Sequence, residues 1–153
     1  MNPAEIKNYF DPIDKLVQEF PVVFQNMDDS GISSVPTGWY NILHNLCEEL
    51  TPILVEERSK ITEDPEQPLF SVLQIKEKFG GLRFYFMMNT ENHELYDNIQ
   101  KIIDIAEDKS YDTCQITGNP GTLCKKGRHF MTLSEEARIT QGFEVVNGST
   151  KSN

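Results

Sequence analysis

The chain has 153 residues, of which 38% are hydrophobic and 10% aromatic, as is typical of one globular domain with a sizeable core. Its formal net charge is −10, from 24 acidic and 14 basic residues, which argues against broad electrostatic binding of nucleic acid because that needs a basic surface. The same charge favours a basic partner, or simply keeps the protein soluble.

Nothing in the sequence predicts a membrane or secreted protein. No run approaches the roughly 18 consecutive apolar residues of a membrane-spanning helix. The N-terminal stretch MNPAEIKNYF lacks the basic and then apolar regions of a signal peptide. The three cysteines, without an export signal, predict free thiols rather than a disulfide framework. We therefore expect a cytoplasmic protein.

The first part of the chain is predicted to be helical and to end in a loop. Apolar residues recur at helical spacing over residues 3–20, and Pro12 breaks or restarts that helix. The apolar segment 22–24 predicts a second short helix. Residues 26–37 are predicted to be loop, because Gly, Ser, Asp and Pro crowd together there without a period.

Residues 38–58 form the clearest predicted helix, with Thr37 as its N-cap, Trp39 as a core anchor and a kink at Pro52. Carboxylates lie about two turns apart on this helix and therefore share one side. Paired carboxylates can bind a cation or act as acid and base, but a solvated acidic face is the commoner explanation. They are Glu48, Glu49, Glu56 and Glu57.

An acidic linker over residues 59–69 leads into a predicted β-hairpin at 70–88. In its second arm Leu82, Phe84 and Phe86 alternate with polar residues, so they share one face, which helices must cover. The turn is predicted at Gly80-Gly81, because glycine accepts the positive φ of a tight hairpin turn.

A second strong helix is predicted over residues 92–108, capped by Thr90 or Asn92. Two long helices and the N-terminal helical segment on one hairpin give a layered α+β core, residues 1–109. Residues 110–141 have frequent turn residues and little apolar mass, and form a separate small unit. The tail, 142–153, contains one possible strand at 143–146.

Three segments resemble, in the same order, a family of short bacterial and phage proteins without an established activity. They are GWYNILHNLCEEL at 38–50, IKEKFGGLRFYF at 75–86 and AEDKSYDTCQITGNPG at 106–121. The resemblance covers residues 20–137, and it implies a C-terminal unit like a zinc ribbon. That unit carries C-x-x-C-G-x-x-G and then T-L-C-x-x-H in the family.

The resemblance implies that the usual zinc site is lost in this chain. Its four ligand positions fall on Cys114, Thr117, Ser134 and Ala137. Only one of the four is a cysteine or histidine, whereas structural zinc takes four such donors. We therefore expect a degenerate zinc-ribbon-like unit without a metal or cofactor. Cys124 and His129 are near enough in sequence to join Cys114 in a rearranged site, which is the alternative.

An enzyme is not expected. The histidines His44, His93 and His129 lie on different predicted elements, outside any G-x-S-x-G or H-E-x-x-H motif. A thiol–imidazole pair of Cys114 or Cys124 with His129 is permitted but not required by the sequence.

The leading prediction is a small acidic phage-type protein that binds a host protein, or a host complex that handles nucleic acid or acts in defence, with inhibition of that target as one outcome of binding. Carboxylates can compete with nucleic acid for a basic groove by presenting similar charge. The candidate surface is the acidic set Glu48, Glu49, Glu56, Glu57, Glu63, Asp64 and Glu66.

The alternative is an accessory protein that itself binds nucleic acid. Basic side chains beside an aromatic ring suit phosphate contact and base stacking. The candidate residues are Lys76, Lys78 and Arg83 in the hairpin, and Lys125, Lys126, Arg128 and Phe130 in the C-terminal unit, with His129 beside them. The net charge of −10 counts against this alternative.

Overall fold

The computed structural model of the chain describes residues 15–25, 27, 32–33, 35–63 and 67–146. Its helices are residues 15–19 (α1), Pro21–Phe24 (α2), Tyr40–Ser59 (α3), His93–Ser110 (α4) and Glu135–Gln141 (α5), with a 3-10 turn, Thr37–Trp39, before α3. The helix predicted before residue 15, the linker residues Asp64 and Glu66, and the tail after residue 146 lie outside the described residues.

The strands of the described part form two small sheets. They are Ile32–Ser33 (β1), Phe70–Lys78 (β2), Gly81–Met88 (β3), Thr122–Lys126 (β4), His129–Leu133 (β5) and Glu144–Val145 (β6). The first sheet has the order β1-β2-β3, with β1 parallel and β3 antiparallel to β2. The second has the order β5-β4-β6 and is antiparallel. This mixture of helices and strands confirms the predicted α+β class.

The predicted layers are present as well. Helix α4 packs on β3, and α3 packs on α4, so both long helices contribute to one core with the hairpin. Leu50 of α3, Ile75 of β2 and Ile99 of α4 are fully buried in it. A smaller apolar cluster lies in the C-terminal unit and includes Leu133 and Phe143. None of the helices described combines the length and apolar character that crossing a bilayer requires.

The hairpin places its side chains as predicted in the second arm and needs a bulge in the first. Leu82 and Phe84 face the core, whereas Tyr85 is exposed on the other side. The pairing register shifts between Val72 and Gln74, which marks a β-bulge. The extra residue allows Val72 and Ile75, three positions apart, both to be buried, and leaves Leu73 53% exposed.

The hairpin turn is one residue earlier than predicted. Lys78 pairs with Gly81, so the two loop residues are Phe79 and Gly80, both with positive φ (53° and 85°), as in a type I′ turn. Gly81 is the first residue of β3 and is glycine for another reason. A Cβ there would lie 2.2 Å from the Tyr111 ring.

The long helices begin differently. Helix α4 is capped as predicted: the Asn92 side chain accepts a hydrogen bond from the Leu95 amide (3.1 Å). The prediction of Thr37 as an N-cap is wrong, because Thr37 belongs to the 3-10 turn that leads into α3 without a side-chain cap. Helix α3 continues through Pro52.

Several elements were not predicted, among them β4 and β5 of the C-terminal unit. Strand β1 lies in the region predicted as loop, and only two of its residues pair with β2. Helix α5 follows Ser134, whose hydroxyl accepts from the Ala137 amide, and ends at Gly142 with φ 75°. It buries only Ala137, so it has no periodic apolar face to reveal it.

Candidate functional site

The start of α3 is hydrogen-bonded to the loop after α4. The indole Nε1–H of Trp39 donates to the Thr113 carbonyl (3.0 Å), and the Gly38 amide donates to the Gln115 carbonyl (2.9 Å). A Cβ on Gly38 would lie 2.2 Å from the Cys114 carbonyl oxygen, so this approach needs glycine. Trp39 is fully buried, which confirms it as a core anchor.

The hairpin turn meets the same region from the other side. The Thr132 hydroxyl donates to the Gly80 carbonyl (2.7 Å), and the Leu82 amide donates to the Ser110 hydroxyl (2.9 Å). These contacts, with those of Gly38 and Trp39, define the junction between the core and the C-terminal unit. The three segments that carry the family resemblance all contribute to it.

Cys114 lies at the junction, and hydrogen-bond donors surround its sulfur. Its Sγ accepts from the Thr117 amide (3.5 Å), and the thiol is fully buried. Burial acts to raise the pKa of Cys114. The Thr117 hydroxyl and the backbone amides of Ser134, Thr117 and Ile116 outweigh burial, so this pKa lies below its ordinary value.

The four positions that the resemblance assigns to zinc ligands are therefore related in space. Thr117 and the Ser134 amide are bonded to the Cys114 sulfur, and the Ser134 hydroxyl caps the helix turn that carries Ala137. Ala137 is buried in the same apolar cluster as Cys114 and Cys124. The Cys124 thiol donates to the Thr122 carbonyl (3.1 Å), and burial raises its pKa.

The structure does not group the three residues of the rearranged metal site, Cys114, Cys124 and His129. His129 is exposed on β5, where its ring contacts Phe143 at a centroid distance of 5.6 Å, whereas Cys114 and Cys124 are fully buried. Across the described ranges, no three His, Cys, Asp or Glu side chains are grouped so that they could hold a metal ion.

The acidic set lies along α3 and just after it. Glu48, Glu49 and Glu56 are exposed and Glu57 is half-buried, and Glu63 is exposed beyond the end of the helix. Two of these carboxylates have a histidine or lysine neighbour on the same helix or at its end. Glu48 lies 3.4 Å from His44, and Glu57 lies 3.1 Å from Lys60.

The fold brings together basic and aromatic residues from the two hairpins. Phe79 at the first turn contacts Phe130 of β5, with ring centroids 6.3 Å apart. The Lys78 ammonium lies 5.7 Å from the centroid of Phe79, and Lys125 is the cross-strand neighbour of Phe130. We call Lys78, Phe79, Lys125 and Phe130 the hairpin-tip surface.

The remaining basic candidates lie elsewhere on the two hairpins. Lys76 and Arg83 pair across β2 and β3, and the Lys76 ammonium lies 5.6 Å from the centroid of Tyr85. Arg128 is exposed in the turn between β4 and β5. Lys126 faces the other side of β4, where its ammonium donates to the Gln141 carbonyl (3.1 Å). It therefore does not join the hairpin-tip surface.

A groove runs between α3 and α4 and ends at the loop that follows α4. Its open space, including solvent at the mouth, is about 580 Å³. Glu49 lies on one wall, and Ile105 and Lys109 lie on the other. It is shallow and mixed in polarity, and so it lacks the enclosed apolar character of a typical small-molecule site.

The chain matches no family model, no curated protein and no solved structure.

Sequence reasoning missed Phe79 as a surface residue. It placed the turn at the glycine pair and so treated Phe79 as a strand residue. The sequence Phe79-Gly80-Gly81 is compatible with two turns. The loop residues can be Gly80 and Gly81, or they can be Phe79 and Gly80 with Gly81 as the first residue of the next strand. Tyr111, which lies 30 positions from Gly81, leaves no room for a side chain at position 81 and so accounts for the second glycine.

Glu107 of α4 is hydrogen-bonded to β3, and we expect it to make the stability of the core depend on pH. Its Oε2 accepts from the Phe84 amide (2.8 Å) at the edge of β3. Burial, together with the charges of Asp104 and Asp108, raises its pKa more than the Phe84 hydrogen bond and Arg83 lower it, so the folded protein holds this proton more tightly than the unfolded chain. The stabilising contribution is present below the unfolded pKa and is lost as pH rises through the folded pKa.

We predict that Glu107→Gln matches the wild-type protein in unfolding free energy near pH 4 and becomes the more stable of the two as pH rises to 7. Glutamine keeps an acceptor for the Phe84 amide without the buried charge. Urea unfolding across this pH range measures the difference.

Glu107→Ala is the control, because it leaves the Phe84 amide without its acceptor and should cost about 1–3 kcal/mol. If Glu107→Gln lost stability relative to wild type as pH rose, the charged carboxylate would be favourable and this account of Glu107 would be wrong.

Proposed function

We propose that this chain acts in the cytoplasm by binding, and thereby occupying, a protein of the bacterial host that presents a basic groove. The observation that carries the proposal is the exposed acidic side of α3. Glu49 and Glu56 are seven residues apart, which is about two turns, and so they point the same way. Glu48 and Glu57 are nine residues apart and so lie on opposite flanks of this row, which means that the four carboxylates do not share one side as predicted.

The helix is a suitable support for such a surface. It has 20 residues and so is about 30 Å long, the length of roughly nine base pairs of DNA. Its opposite side is fixed by buried residues such as Leu43, Leu50 and Leu54. A row of carboxylates held this firmly suits competition with nucleic acid for a basic groove, because little conformational entropy is lost on binding.

We predict that reversing two of these charges, Glu49→Lys with Glu56→Lys, weakens partner binding at least about tenfold at low salt, since opposite charges steer and stabilise such complexes. The measurement is an affinity pull-down from bacterial lysate with and without nuclease, followed by a binding isotherm with the purified partner. Glu91→Lys with Asp97→Lys is the matched control, because these residues are also exposed and the net charge changes equally.

A stoichiometric protein that survives nuclease and is lost with the α3 variant, but not with the control, supports the proposal. Equal loss of binding with both variants would mean that only the net charge matters. Retention of binding with both variants would mean that α3 is not part of the interface. Partners that disappear with nuclease would point to nucleic acid instead.

A second candidate function is that of an accessory protein that binds nucleic acid. The specific observation in its favour is the hairpin-tip surface, in which residues about 50 positions apart in sequence place two lysines beside two aromatic rings. Its binding mode is argued in the next subsection.

We also infer that the C-terminal unit is a zinc-ribbon remnant in which hydrogen bonds to Cys114 replace the metal. The support is the position of the other three sites: Thr117 and Ser134 bond to this sulfur, and Ala137 lies in the same cluster. The junction, rather than a metal, then keeps the turn-rich segment in place.

Restoring the missing donors tests this inference. We predict that Thr117→Cys, Ser134→Cys and Ala137→His together give a chain that binds one zinc ion and unfolds at a higher temperature with zinc than without. Cobalt substitution should give the visible absorption of a tetrahedral thiolate site. Adding Cys114→Ser should abolish both effects. A folded triple variant that takes up no stoichiometric zinc would contradict the inference.

A further inference from the structure

Phe79 is energetically unfavourable at its position. Its side chain is 63% exposed, and its φ of 53° lies in the left-handed region. That region is unfavourable for a bulky L-residue, and asparagine or glycine would suit a type I′ turn better. The contact with Phe130 offsets only part of this conformational free-energy cost, because the Phe79 ring remains mostly in water. An exposed aromatic ring on a strained residue is typical of a binding site.

The charges around Phe79 indicate what it binds. Lys78 lies close to its ring, and Lys125 lies beside Phe130 on the neighbouring strand. Within the described residues, neither ammonium forms an ion pair with a carboxylate. Two carboxylates are near this surface: Glu77, which accepts from the Gly80 amide (2.9 Å), and Glu144, the β6 neighbour of Lys125.

We propose that the hairpin-tip surface binds a single strand of nucleic acid, with a base stacked on Phe79 and phosphates contacted by Lys78 and Lys125. This deepens the second candidate function and rests on it. A base presents a flat π face that an exposed phenyl ring can cover, and the lysines lie beside the ring, where the phosphates of that strand would run. In a duplex the bases are stacked and this face is covered.

The net charge of −10 limits the affinity but does not prevent local contact. At about 0.1 M salt the Debye length is about 10 Å, so carboxylates on remote elements are largely screened from a strand at the hairpin tips. Lys76 and Arg83 extend the basic character along the outer side of β2 and β3, although Arg83 is shared with Glu107.

Fluorescence anisotropy with labelled oligothymidylate, oligouridylate and a duplex of about 20 nucleotides each, at about 0.1 M salt, tests the proposal. We expect the single strands to bind more tightly than the duplex. Phe79→Asn should weaken binding at least about tenfold, because it removes the stacking ring, whereas Phe79→Tyr should stay within about twofold of wild type. Thermal unfolding should show that Phe79→Asn is no less stable, since Asn-Gly is a favoured type I′ pair.

Charge variants test the phosphate contacts. Lys78→Glu with Lys125→Glu should weaken single-strand binding at least about tenfold. It should also reduce the slope of log K against log salt concentration by the amount expected for about two phosphate contacts. Lys60→Glu with Lys101→Glu changes the net charge equally at exposed sites elsewhere and should have little effect.

The outcomes separate the site from the function. Binding of single strands that Phe79→Asn and the Lys78 and Lys125 variant leave unchanged would overturn this site and keep the accessory function. Equal or tighter binding of the duplex would overturn base stacking. No binding of any of the three probes would overturn both the site and the second candidate function.

Discussion

The arrangement of this protein depends on the close contact between the start of α3 and the loop that follows α4. Two N–H donors, the Gly38 backbone amide and the Trp39 indole, bond to carbonyls of that loop, and glycine is required at position 38 because the backbones approach too closely for a Cβ. Since Trp39 is also buried in the main core, this contact ties the C-terminal unit to the most stable part of the molecule. The C-terminal unit has only a small apolar cluster of its own and needs such a support.

The position of the hairpin-tip surface follows from this contact. Once the loop after α4 is fixed, Thr132 bonds the first hairpin turn, and the two hairpins present their aromatic residues side by side. The acidic side of α3 points away from the buried residues of that helix. An acidic protein thus carries one local basic surface, and the two surfaces suit partners of opposite charge.

Much of the core was predictable because local signals and tertiary packing agree there. The apolar period of α4 and its Asn92 cap, and the alternation along β3, each determine an element from neighbouring residues alone. The errors occur where a distant residue decides. Tyr111 requires glycine at position 81, which is a strand residue rather than a turn residue, and the bulge at Leu73 aligns two core residues that a regular strand would separate. Helix α5 gave no periodic signal because the small cluster beneath it takes a single alanine. The hairpin-tip surface was partly predictable: its lysines and Phe130 were candidates from composition, but their proximity to Phe79 is set by the junction.

Hydrogen exchange on Gly38→Ala tests the central claim most directly, because the added Cβ would lie 2.2 Å from the Cys114 carbonyl oxygen. The amides to follow are Gln115 and Thr132 in the C-terminal unit, with Ile99 and Ile103 of α4 as internal reference. If the junction holds the C-terminal unit in place, the first pair loses protection far more than the reference pair, as expected when one unit opens locally. Unchanged protection at Gln115 and Thr132, or an equal loss at all four amides, would contradict the claim.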